Sequence, residues 1–88
     1  MSRVVSELAD KIGMKRVGRV RRIENNCGVV YMQLIQESHI AAHTHYDGRV
    51  LFSVVSCKRF NERRAIEYIT QELELRNVKT SSSYRNFR

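Results

Sequence analysis

Residues 29 to 56, VVYMQLIQESHIAAHTHYDGRVLFSVVS, decide the fold. The first eight, VVYMQLIQ, are apolar and rich in branched and aromatic side chains, which suits a central strand. Asp47-Gly48 is a strong hairpin signal, read here as a type I′ turn with positive φ at both central positions. RVLFSVVS, residues 49 to 56, supplies the returning strand. The stretch from Ser38 to Tyr46 alternates less cleanly, although it sits between strands.

Working outward, VVSELADKIG upstream has Val4, Val5, Leu8 and Ile12 on one helical face, with Gly13 placed to end the helix. Val17, Val20 and Ile23 among basic residues read as an exposed or edge strand, and ENNCG as a turn. Downstream, Asn61 can cap a helix starting at Glu62, with Ala65, Ile66, Ile69 and Leu73 as its buried stripe. Arg76 to Thr80 suggests a last short strand, and SSSYRNFR, residues 81–88, a flexible basic tail. The order read is α-β-β-β-α-β. It predicts an α+β fold, a two-layer α/β sandwich whose mostly antiparallel sheet carries its helices on one face. The other face needs cover, and a second subunit is the simplest cover.

Eighty-eight residues make a single domain, assigned to residues 1–80. No apolar run is long enough to span a membrane, and the first residues lack a signal-peptide core, so a cytoplasmic protein is expected. Cys27 and Cys57 stand alone, which argues against a structural disulfide and a zinc site. No metal ligands are assigned, because no cysteine pair or acidic cluster completes a shell around His43 and His45. The net charge of +7 permits nucleic-acid binding, but aromatic and basic residues do not interleave, and nucleic acid is not the expected partner.

QESHIAAHTH, residues 36–45, holds every histidine of the chain beside one Glu-Ser pair. A hydrolase elbow would place glycines around the serine and a helix after it, and neither is present. On a regular strand Ser38 and His43, five apart, point to opposite faces. They meet only if the backbone bends or breaks at Ser38, which hints at a self-processing site.

Glu37-Ser38-His39-Ile40-Ala41-Ala42-His43-Thr44 resembles the Glu-Ser-His-x-x-x-His-Thr signature of the small prokaryotic S-adenosylmethionine decarboxylases. The likeness continues through a hairpin and a strand ending in Cys57, over residues 28 to 80. It implies a proenzyme that cuts itself between Glu37 and Ser38. The Ser38 hydroxyl attacks the Glu37 carbonyl, the amide becomes an ester, and β-elimination opens it. Residue 38 then becomes a covalent pyruvoyl group, the cofactor, heading an α chain of residues 38–88, with residues 1–37 as the β chain. The pyruvoyl carbonyl forms a Schiff base with the substrate's α-amine and accepts the electrons released with carbon dioxide. By the same resemblance His43 assists processing and Cys57 donates the proton in decarboxylation. His39 belongs to the signature without an assigned role.

The likeness also implies S-adenosylmethionine as substrate, polyamine (spermidine) synthesis as the purpose, and a homodimer or higher homo-oligomer with sites at its interfaces. Three departures bear on this. Where the family continues Trp-Pro-Glu, this chain has His45-Tyr46-Asp47, so His45 and Asp47 stand as substitute substrate contacts. The chain ahead of Ser38 is short and has no aromatic before Tyr31 to stack on adenine, although Tyr31 or Tyr46 could partly substitute. Val30 occupies the position, eight before the serine, where the family carries a hydroxyl that aids processing. These losses fall on the nucleoside pocket, so the same chemistry on arginine or ornithine is a second reading. A non-catalytic partner or regulator is a third.

Overall fold

The computed structural model describes residues 1–36, 38–57 and 59–73. The last strand expected at 76–80 and the tail at 81–88 lie outside them. In order, the described elements are α1 (Ser2–Lys11), β1 (Arg16–Glu24), β2 (Gly28–Ile35), β3 (Ser38–His45), β4 (Val50–Val55) and α2 (Glu62–Leu73). The four strands form one antiparallel meander, β1-β2-β3-β4, with both helices packed on one side. The α+β two-layer sandwich is therefore as expected, with four strands rather than three between the two helices. The extra strand is β3. Its alternation is obscured because Ala41 and Ala42 are both small and both buried, yet it pairs along its length with β2 and β4.

Each end of α1 shows how local sequence sets the element. Val5 N–H bonds the Met1 carbonyl at the start. At the end, Gly13 N–H bonds Asp10 O and Met14 N–H bonds Ala9 O, the double closure that a left-handed glycine permits (Gly13 φ 73°). Asn61 caps α2 as expected, its Oδ1 accepting from Arg64 N–H at 3.1 Å. The buried stripe of α2 differs from the one expected. Ala65 and Tyr68 are buried, Ile69 and Leu73 pack partly against the core, and Ile66 lies outside it. Tyr68 escapes a purely apolar reading because it buries its ring while its hydroxyl donates to Glu7 on α1 at 2.7 Å.

The core lies between helices and sheet: Val4, Val5, Leu8 and Ala9 of α1, with Ile12 just beyond its end, against Ile35, Ile40 and Ala42. One polar side chain, Gln33, is buried there at 1% exposure. It is fully engaged. Its Nε2 donates to the carbonyls of Val17, Gly18 and Leu34, and its Oε1 accepts from Ser6. These bonds secure the irregularity in β1 between Val17 and Arg21, where Gly18 takes φ 71°. Gly28 has a different constraint: a Cβ there would run into the backbone carbonyl of Thr44 on β3.

The β3–β4 turn is not the type I′ turn read from Asp47-Gly48. Gly48 N–H bonds His45 O, and His45 N–H bonds Arg49 O. Tyr46 and Asp47 thus occupy the central positions, and Gly48 follows them at φ 93°. This is the three-residue hairpin with a glycine bulge, which needs one left-handed residue rather than two. No helix among the described residues is long and apolar enough to cross a membrane.

Candidate active site

Strand parity sorts the site residues. Residues opposite one another across the sheet share a face. On the helix side, Gln33 lies opposite Ile40, Ile40 opposite Val54, and Tyr31 opposite Ala42. On the other side run two rows holding histidines: Val17, Leu34, His39 and Val55, then Ile23, Val30, His43 and Leu51. A row of Arg21, Met32, Ala41 and Ser53 lies between them, and His45 follows opposite Gly28. All three histidines therefore share the face that neither α1 nor α2 covers. Its apolar members include Ile23, Leu51 and Val55, which are 57%, 58% and 49% exposed.

Ser38 heads β3 opposite Ile35, directly after the turn from β2. It is half-buried, and its Oγ lies 3.3 Å from His39 Nδ1. Cys57 follows two residues after Val55, which lies opposite His39, so Cys57 belongs to the same end of the sheet and is exposed. Glu37, the other half of the expected cleavage pair, lies outside the described residues. His43 stands apart. Five residues of unbroken strand, roughly 16 Å at the usual rise, separate it from Ser38. Within one chain the structure brings Ser38 to His39 and not to His43.

The register also locates the missing hydroxyl. Val30 lies directly opposite His43. The position where the family resemblance calls for a processing hydroxyl is thus the cross-strand neighbour of His43, and here it is apolar.

The expected substrate contacts are far from Ser38 along the strand. Asp47 is committed to its own turn: Oδ1 accepts from Arg49 N–H at 3.1 Å and Oδ2 from Arg49 Nε at 2.8 Å. The Arg49 backbone N–H, and then its guanidinium, hold the Asp47 carboxyl below its ordinary range. His45 and His43 line a hollow of about 30 Å³ with Asn25 and Cys27, room for little more than a water. Tyr31 cannot substitute for a stacking aromatic on the histidine face, because it packs towards the helices with Arg22 over its ring. Tyr46 is exposed at the turn. A larger hollow of about 330 Å³ lies between α1 and β1, bounded by Arg3, Arg16, Arg19 and Gln33, and contains none of the expected site residues. Among the described residues no group of three His, Cys, Asp or Glu is arranged to hold a metal ion.

Ser38 thus stands at a strand head with His39 touching it and Cys57 at the same sheet end. The family model for S-adenosylmethionine decarboxylase matches residues 1–86. The chain belongs to the S-adenosylmethionine decarboxylase family. The match takes in α1 and β1 as well as the stretch from residue 28 to 80 where the resemblance was read. No curated protein and no solved structure matches the chain. For a member of this family, parity was the signal available in sequence for the shared histidine face: 39, 43 and 45 are all odd. The contact between Ser38 and His39 had no such signal, because neighbours on a regular strand point apart.

Proposed function

We propose that the chain is a self-processing, pyruvoyl-dependent decarboxylase acting on S-adenosylmethionine in polyamine synthesis. The observation that carries this reading is Ser38 at the head of β3, touching an imidazole, inside the family's own signature. Ser38 suits a residue that becomes a cofactor. It adjoins a tight turn, where the chain can part without disturbing the pairing of β2 with β3, and it is partly sheltered from water. The pyruvoyl group, once formed, supplies a carbonyl that takes up the substrate's α-amine and the electrons released with carbon dioxide. Cys57, exposed at the same sheet end, would return a proton to the product.

The separation of Ser38 from His43 supports a homodimer built through the uncovered face. A two-fold axis near Ala41 would set the His43 row of one protomer over the His39 row of the other. Ala41 is small, which lets two sheets approach to the usual spacing of about 10 Å. His43 of the partner subunit would then serve the Ser38 end of this one, and the exposed Leu51, Val55 and Ile23 would be covered.

A second reading, the same chemistry on arginine or ornithine, is favoured by the state of the nucleoside contacts: Asp47 is held by Arg49 and Tyr31 faces the helices. Release of labelled carbon dioxide from S-adenosylmethionine, arginine and ornithine separates the two. Turnover of S-adenosylmethionine is expected; turnover of the amino acids alone would replace it as substrate.

A further inference from the structure

We propose that His39 is the catalytic base that starts processing, a role that rests on the self-processing reading above. Its Nδ1 lies 3.3 Å from Ser38 Oγ, the atom that must lose a proton to become a nucleophile. The approach is slightly long for a formed hydrogen bond, as is usual before a reaction begins. Leu34 and Val55 flank His39 in its row, and no carboxylate shares that row. Across its row the imidazole therefore meets no acid, and it stays beside the serine. His43, by contrast, lies four residues further along the same face, and its cross-strand neighbour is Val30 rather than a hydroxyl.

The proton balance is closed by His39 alone. Nδ1 takes the proton from Ser38 Oγ as Oγ bonds to the Glu37 carbonyl carbon. The bond from that carbon to the Ser38 nitrogen then breaks, and Nδ1 returns the proton to the nitrogen. An amide has become an ester and a free amine, with no other donor, acceptor or oxidant involved. The second step, elimination across Cα and Cβ of residue 38, remains with His43. The two histidines of the signature therefore divide the reaction between them, and the first step needs no second subunit.

Hydroxylamine separates the steps, because it cleaves an ester but not an amide. The full-length chain and its His39→Ala, His39→Gln and His43→Ala variants are incubated with hydroxylamine and followed by intact mass. His43→Ala is expected to accumulate the ester and to be cut at Glu37-Ser38, leaving an unblocked serine. His39→Ala is expected to stay whole, with ester formation slowed about 100-fold and partly restored by added imidazole. His39→Gln keeps an acceptor beside Ser38 but cannot carry a proton, and it is expected to be as slow as His39→Ala. Cutting of either His39 variant at the wild-type rate would overturn the role while leaving self-processing intact. A wild-type chain that stays whole with and without hydroxylamine would overturn self-processing itself, and the role with it.

Discussion

The two faces of β3 are made from the same eight residues and do opposite work. Ile40 and Ala42 point under the helices and are wholly buried, part of the core that holds the sheet to α1 and α2. His39, Ala41, His43 and His45 point the other way, onto the face that neither α1 nor α2 covers. The helix side tolerates a polar group only when every bond is met, as with Gln33, because an unmet buried amide costs about 1–3 kcal/mol. The histidines sit where no such condition applies, and where a substrate or another subunit can reach them. One strand thus ties the histidines to the core without burying them.

The largest expected contrast between the faces is in stability. Ile40→Ala should cost about 2–5 kcal/mol, much of the stability of a domain this small. Leu51→Ala should leave the stability of the single folded chain within about 0.5 kcal/mol, since Leu51 is exposed in it. Urea unfolding of both variants at low protein concentration checks this, and equal costs would break the contrast. Next, Gln33→Leu strands the carbonyls of Val17 and Gly18 and should cost about 1–3 kcal/mol, seen as a lower urea midpoint. Leu51→Asp should leave circular dichroism unchanged and convert a dimer to a monomer in size-exclusion chromatography.

The smallest effect sharpens the helix side alone. The Tyr68 hydroxyl, and then Arg3, hold the Glu7 carboxyl below its ordinary range, while burial and the Glu7 acceptor push the Tyr68 hydroxyl up. A lowered carboxyl stabilises the fold above its unfolded pKa, and that contribution is lost as pH falls through the lowered value. A raised phenol stabilises below about pH 10 and loses its contribution as pH rises past the raised value. Tyr68→Phe should therefore lower Tm by a few degrees near neutrality, and the difference should shrink towards pH 3. A difference constant down to pH 3 would show that this bond contributes nothing that depends on ionisation.

Most of this architecture was legible because its signals are periodic. Val4, Val5, Leu8 and Ile12 announced α1, and Gly13 closes it as expected. β3 was less legible, since two adjacent small residues mask a period of two. Tyr68 was missed in the stripe of α2 because its burial depends on Glu7, sixty-one residues away in the chain. The turn at Asp47-Gly48 formed with a different geometry because Asp47 is drawn to Arg49. In the site, the signature was readable residue by residue. What no local pattern could show was register. Only the pairing of β2 with β3 places Val30 against His43, and only the start of β3 brings Ser38 to His39.

The most direct test of the account is the intact mass of the purified full-length protein. Two chains are predicted, one ending at Glu37 and one beginning at a residue 38 that lacks a free amine and has the mass of a pyruvoyl group. A single chain of 10.3 kDa that persists on long incubation would contradict it.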